Sequence, residues 1–231
     1  MIPALILYLI RRFKRKSSSA KITNKLISKI KKIRALLFFA LMICLSAFTS
    51  FNNSESITYN VINGDKTIGT IKTIKNGFKD SETYTLESNI KAKFLFKFNI
   101  IGKEKSVYKK GILVFSSVFR TVNNKTKTNH KIVLDGNHYN LESNKNSQAL
   151  NVSLIKQNLI TLYYEEPIGI SSVFCDNIKQ MAPVKPMGKG QYKVEFTNGK
   201  YNVFHYKNGK CIKIEAKSTL FNVDLIPVNH E

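Results

Sequence analysis

The sequence predicts a mainly β, α+β domain: a curved antiparallel sheet or half-barrel of consecutive hairpins, with one packed helix. Three observations predict it. Asn-Gly or Asp-Gly dipeptides recur at Asn63-Gly64, Asn76-Gly77, Asp135-Gly136, Asn198-Gly199 and Asn208-Gly209, each flanked by β-forming residues, and such dipeptides accept the positive φ angles that tight hairpin turns require. The segments between them tend to alternate apolar and polar residues, the period of a half-buried strand. Only one stretch, Ala149 to Tyr163, carries apolar residues at helical spacing.

Taken in order, "ITYNVI" (57–62) and "TIGTIKTIK" (67–75) flank the first turn, and Gly69 inside the second of them marks a bulge or bend. "KAKFLFKFNI" (91–100) reads as a strand with Phe94, Phe96, Phe98 and Ile100 on a buried face and Lys91, Lys93, Lys97 and Asn99 on a wet one; Leu95 is the exception. "GILVFSSVF" (111–119) is apolar on both faces and belongs centrally or under another element. The helix is expected at about 149–164, with Leu150, Leu154, Ile155, Leu159, Leu162 and Tyr163 inward and Asn151, Lys156, Gln157, Asn158 and Thr161 outward. Pro167 stops its continuation. "MAPVKPMGKG" (181–190) reads as a Pro/Gly-rich loop, and Tyr192 to about Ile226 as a meander of three or four strands whose register the two NG turns set. No linker divides residues 51–231, so they form a single domain.

Charge separates off the first 50 residues. The chain of 231 residues has 37 Lys and Arg against 15 Asp and Glu, a net +22; the first 54 residues hold 11 of the cations and no acid. This basic run leads into "ALLFFALMICLSAF" (35–48) and then small polar residues, the order of a secretory signal. The apolar run is shorter than the roughly 20 residues that span a bilayer. Residues 1–50 are therefore read as a cytoplasmic basic segment and signal peptide, with an inner-membrane anchor over 35–50 as the alternative. The folded part then lies in the periplasm or cell envelope in either case. Within it remain Cys175 and Cys211. An oxidising compartment permits a disulfide between them, and spacing does not distinguish that from two separate thiols.

Chemical motifs are scarce. The four histidines stand alone, with no ligand spacing for a metal, and neither a nucleophile elbow nor a phosphate loop is present. No catalytic residue and no cofactor is nominated. The lysines of 55–231 fall on alternating strand positions, which suits a solvated sheet face; the partner they fit is a lipid or anionic envelope surface, not nucleic acid. Glu165 and Glu166 precede Pro167. Adjacent helical residues point about 100° apart, a poor arrangement for two carboxylates that must flank one bond. A helix C-terminus also disfavours their charge. Glu165, Glu166 and Pro167 are accordingly read as a structural latch that pairs with the turn or with a sheet lysine.

The stretches "LYYEEPIGISSVF", "GQYKVEFTNGKYNVFHYKNGK" and "YNVINGDKTIGTIK" resemble a family of exported proteins of unknown function from Gram-negative bacteria, over roughly Ile57 to Leu225. Cys175 departs from the small polar residue more usual at that place in the family, which weakens the disulfide. More distantly, the layout resembles periplasmic half-barrels such as the lipoprotein carriers, and that resemblance implies an acyl chain or other hydrophobic ligand lying along Phe94, Phe96, Phe98 and Ile100. The same side chains could equally fill a core. The functional expectation is an exported envelope protein of this kind, non-enzymatic. The alternatives are an envelope hydrolase using Glu165 or Glu166, or a structural module that exposes a sheet edge. The oligomeric state is not readable from the sequence.

Overall fold

The computed structural model describes residues 53–93, 97–143, 146–218 and 222–228. Expectations for residues 1–50, for Phe94 and for Phe96 lie outside the described residues. The described chain belongs to one compact unit, Phe51–Glu231.

Fourteen antiparallel strands form one sheet. The first eight follow each other as a meander: β1 (Asn53–Asn63), β2 (Lys66–Phe78), β3 (Ser81–Lys93), β4 (Lys97–Lys109), β5 (Ile112–Val122), β6 (Lys125–Asp135), β7 (His138–Ser143) and β8 (Asn146–Leu150). A second meander comprises β9 (Ser172–Cys175), β10 (Gln180–Gly188), β11 (Gln191–Glu195), β12 (Tyr201–Lys207), β13 (Lys210–Lys217) and β14 (Asn222–Pro227). The two join where β14 pairs with β1, Tyr59 opposite Pro227 and Val61 opposite Leu225. The strand order is 8-7-6-5-4-3-2-1-14-13-12-11-10-9, so β8 and β9 are the edges and the sheet is not closed. A single buried cluster draws on both meanders, from Tyr139 and Ile132 through Tyr59 and Val61 to Phe204 and Val173. One cluster spanning so many strands requires the sheet to curl around it.

Turn chemistry explains most of the connections. Gly64, Gly136 and the pair Asn208-Gly209 adopt positive φ at hairpin turns, as their dipeptides predict. Asn198-Gly199 lies in a short 3-10 turn between β11 and β12. Asn76-Gly77 does not turn: both residues are inside β2, and the chain reverses at Lys79 and Asp80, with Lys79 at φ 52°. The β4–β5 and β5–β6 reversals use Lys110-Gly111 and Asn123-Asn124, all four at positive φ. Gly69 lies at a bulge, as expected, and is also closely approached by β3. The β1–β2 register shifts beside it, and an added Cβ would lie 2.2 Å from the Asn89 carbonyl oxygen of β3.

Three elements depart from the sequence reading. "KAKFLFKFNI" is not one strand: β3 ends at Lys93 and β4 begins at Lys97, the two residues being paired across a hairpin. "MAPVKPMGKG" is largely strand β10. Its Gln180–Pro183 half pairs only with β9 and its Val184–Gly188 half with β11. Each half therefore has one side without a ladder, which is where a proline nitrogen is tolerated. The expected helix at 149–164 is reduced to one 3-10 turn, Leu159–Tyr163. Residues Ile160, Thr161, Leu162 and Tyr163 are all buried, and the expected stripe is not kept: Leu154, expected inward, is exposed, while Asn158 and Thr161, expected outward, are buried. The segment's backbone groups are satisfied from the sheet. Ile155 O accepts from Leu113 N–H at 2.9 Å, Gln157 O from Phe174 N–H at 3.0 Å, and Ile155 N–H donates to the Tyr139 hydroxyl at 3.1 Å. The chain between the two sheet edges thus folds inward and fills the curl.

Candidate functional site

Where this inward segment leaves the interior, Glu165 and Glu166 reach opposite meanders. Glu165 Oε1 accepts from Lys75 Nζ of β2 at 2.8 Å and from the Tyr84 hydroxyl of β3 at 2.9 Å. Glu166 Oε1 accepts from the Tyr192 hydroxyl of β11 at 2.9 Å. The Tyr206 hydroxyl of β12 lies within hydrogen-bond reach of the Leu162 and Glu165 carbonyls, its one proton serving either, and Pro167 beside them is buried.

Lys75 also pairs with Glu82 at 3.0 Å, and its ammonium lies 5.2 Å from the centre of the Tyr84 ring. Burial acts against the Lys75 charge, but the bonds and charges of Glu165 and Glu82 outweigh it and hold the ammonium above the usual lysine value. Burial, with the Glu165 and Glu82 charges added, raises the Tyr84 phenol well above its ordinary value. Tyr84 therefore stays a neutral donor, and its single proton serves either Glu165 or Glu82, whose Oε2 is 3.2 Å away.

Beside this cluster opens a cleft of about 590 Å³, walled by Tyr84, Tyr108, Leu154, Ile170 and Met181 and rimmed by Glu82, Glu165 and Gln157. Gln157 Oε1 is buried and has no donor among the described residues.

Behind the cleft lies a buried polar network. Asn158, fully buried, donates through Nδ2 to Ser106 Oγ and to Asp176 Oδ2, both at 2.8 Å, and accepts from the Tyr108 hydroxyl at 2.9 Å. His130 Nε2 contacts the Asp176 carbonyl at 3.1 Å. Burial raises the Asp176 carboxyl, opposed by Ser116 and Asn158. Burial likewise raises Glu104, opposed by the Arg120 guanidinium at 3.2 Å. His130 is pushed down by burial and by the Lys179 charge. Sequence reasoning placed Asn158 on a wet helix face and did not single out Asp176. Only the collapse of the segment into the sheet turns them inward, and no local signal marks that.

The remaining expected positions are dispersed. Ile100 is half-buried on β4, and Phe98 is 36% exposed at the start of that strand. Cys175 on β9 and Cys211 on β13 are both free and buried, so no disulfide joins them. Three strands, β10 to β12, separate theirs in the sheet. Among the described residues no group of His, Cys, Asp and Glu is placed to hold a metal ion.

Residues 59–228 match the family model described as a domain of unknown function, DUF6134, across well over half of the chain. The chain belongs to the DUF6134 family. No curated protein shows significant similarity to it. A crystal structure of a beta-barrel-like protein, of domain of unknown function DUF1849 from Brucella abortus, is similar at a TM-score of 0.48 and 11% identity, over 78% of this chain and 97% of that one. The DUF6134 match takes in the 3-10 turn, both glutamates, the cleft and the Asn158 network, but carries no assigned chemistry.

Proposed function

We propose that this DUF6134 chain is an exported cell-envelope protein, non-enzymatic, that holds a small amphipathic ligand in the cleft between Tyr84, Tyr108 and Glu165. The carrying observation is the cleft itself. At about 590 Å³ it falls within the usual range for small-molecule sites, with an apolar aromatic wall and a few convergent polar groups. An acyl chain deep inside the curl fits less well, because Ile155, Ile160, Leu162 and Tyr163 already pack there. Against the hydrolase alternative stands Lys75, whose ammonium lies between Glu82 and Glu165, where a scissile bond would need to sit.

Native mass spectrometry of the protein recovered from the envelope fraction tests this reading. A bound small molecule is expected with the wild type and is expected to disappear in Leu154→Lys/Met181→Lys. Recovery from the cytosol, an empty wild type, or a ligand retained by the double variant counts against it.

A further inference from the structure

We propose that one corner of the sheet, made by the adjoining ends of β3 and β4 and by the β5–β6 hairpin, docks on an anionic lipid bilayer. The charge of the folded part is not spread evenly. Residues 55–231 hold 26 Lys and Arg and 15 Asp and Glu, a net +11; within them, segments 88–103 and 119–134 hold eight Lys or Arg and no acid. These two short segments therefore carry +8, and all the rest carries +3 (18 cations against 15 acids).

The fold brings the two segments together. β4 and β5 are paired, with Ile100 opposite Val122 and Gly102 opposite Arg120. The β5–β6 turn is also fastened to β4, since Asn123 exchanges hydrogen bonds with the Asn99 backbone at 2.8 Å and donates through Nδ2 to the Lys97 carbonyl at 3.2 Å. Lys103 and Arg120 have carboxylate partners in Glu87 and Glu104. Lys91, Lys97, Lys125 and Lys127 are exposed and form no ion pair among the described residues. Unscreened lysines gathered on one corner are the electrostatic complement of an anionic surface.

Two aromatic side chains stand among them. They lie on the two faces of the corner: Phe98, 36% exposed, on the face that carries Lys125, and Phe119, 37% exposed, on the face that carries Lys97 and Lys103. An apolar ring beside free ammonium groups suits the headgroup boundary, where the ring enters the acyl region and the charges meet phosphate. The lipid assignment rests on the export reading, which removes nucleic acid as a partner. It does not depend on what the cleft binds.

The chain contains no tryptophan, so a single Trp in the exported protein, recovered from the envelope fraction, reports its own surroundings. Phe98→Trp is expected to shift to the blue and be quenched by vesicles containing brominated phosphatidylglycerol. Phosphatidylcholine vesicles should have no such effect, and about 0.5 M salt should release the protein. Phe78→Trp, at the opposite end of the meander and 47% exposed, serves as the control and should be unaffected. Each lysine near an anionic surface strengthens binding about fivefold. Lys97→Glu/Lys125→Glu/Lys127→Glu in the Phe98→Trp background should therefore weaken vesicle binding at least about 100-fold. The proposal is overturned if Phe98→Trp is not quenched, if Phe78→Trp is quenched equally, if the triple reversal keeps its affinity, or if duplex DNA occupies the corner and vesicles do not displace it.

Discussion

Replacing Asn158 by alanine removes a side chain that connects the inward segment, the β4 wall and the β9–β10 turn. Its carboxamide makes three side-chain hydrogen bonds, to Ser106, Tyr108 and Asp176, at 2.8–2.9 Å. Asp176 loses a bond to a buried carboxylate, which costs about 1.5–3 kcal/mol, and the Tyr108 hydroxyl is orphaned for about 1–3 kcal/mol more. With partial relaxation the expected destabilisation is about 3–5 kcal/mol. For a folded unit of this size that lowers Tm by about 6–20 °C. Urea unfolding at pH 7.5 measures it, and the background Asp176→Asn isolates the charge. With no carboxylate to strand, the Asn158→Ala penalty should shrink by about 1.5–2 kcal/mol in a double-mutant cycle. The pH dependence has a definite sign. An acid whose folded pKa is raised contributes stability at low pH that is lost as pH climbs past its unfolded value, about 3.9. Removing a donor raises Asp176 further, so Asn158→Ala should lose stability with rising pH more steeply than wild type. A penalty below about 1 kcal/mol, or one equal in both backgrounds, refutes the assignment of Asn158 as the keystone of this network.

Three further expectations follow from the same geometry. His130 is held below its ordinary pKa, so wild type should lose stability as pH falls below about 6.5, by up to about 1.4 kcal/mol per pH unit; His130→Gln should lack that component, and parallel unfolding curves for both proteins at pH 7.5 and 5.5 would contradict it. Within β2, Gly69→Ala forces a Cβ onto the β3 backbone and should destabilise by about 2–4 kcal/mol, whereas Gly77→Ala meets nothing nearer than 3.9 Å and should be neutral or stabilise by about 0.5–1 kcal/mol; thermal melts that rank the two the other way reject the close approach. Burial pushes the Cys175 thiol up to about 11 and the Cys211 thiol up to about 12, so a thiol reagent at pH 8 should label neither in the native protein and both after unfolding. A native protein with no thiol titratable even in denaturant would instead mean a disulfide.

The sequence alone determined the class of this fold and much of its layout, because strand and turn signals are local. A backbone that must take positive φ at Gly64, Gly136 and Asn208-Gly209 announces itself in the dipeptide, and the C-terminal meander from Tyr192 to Ile226 could be read strand by strand. Asn76-Gly77 misled because the same dipeptide is tolerated within a strand when the turn falls two residues later. The DUF6134 match has the breadth that the family resemblance implied, from the first strand to the last.

What tertiary structure alone decided is the fate of residues 151–170. Helical spacing there is real, but helix is favoured only if one stripe is buried and the other wet. The sheet instead buries Ile155, Asn158 and Ile160 to Tyr163 and leaves Leu154 and Lys156 exposed, so no helical stripe is kept, and hydrogen bonds to Tyr139, Tyr59 and Tyr206 replace the helical ladder. The same event turned Asn158 and Asp176 inward, opened the cleft beside Tyr84 and Tyr108, and set Glu165 and Glu166 on opposite meanders. Each of those pairings joins residues far apart in the chain, Tyr84 to Glu165 or Tyr108 to Asn158. No local pattern encodes such a distance; it exists only once β14 has paired with β1 and the two meanders share one core.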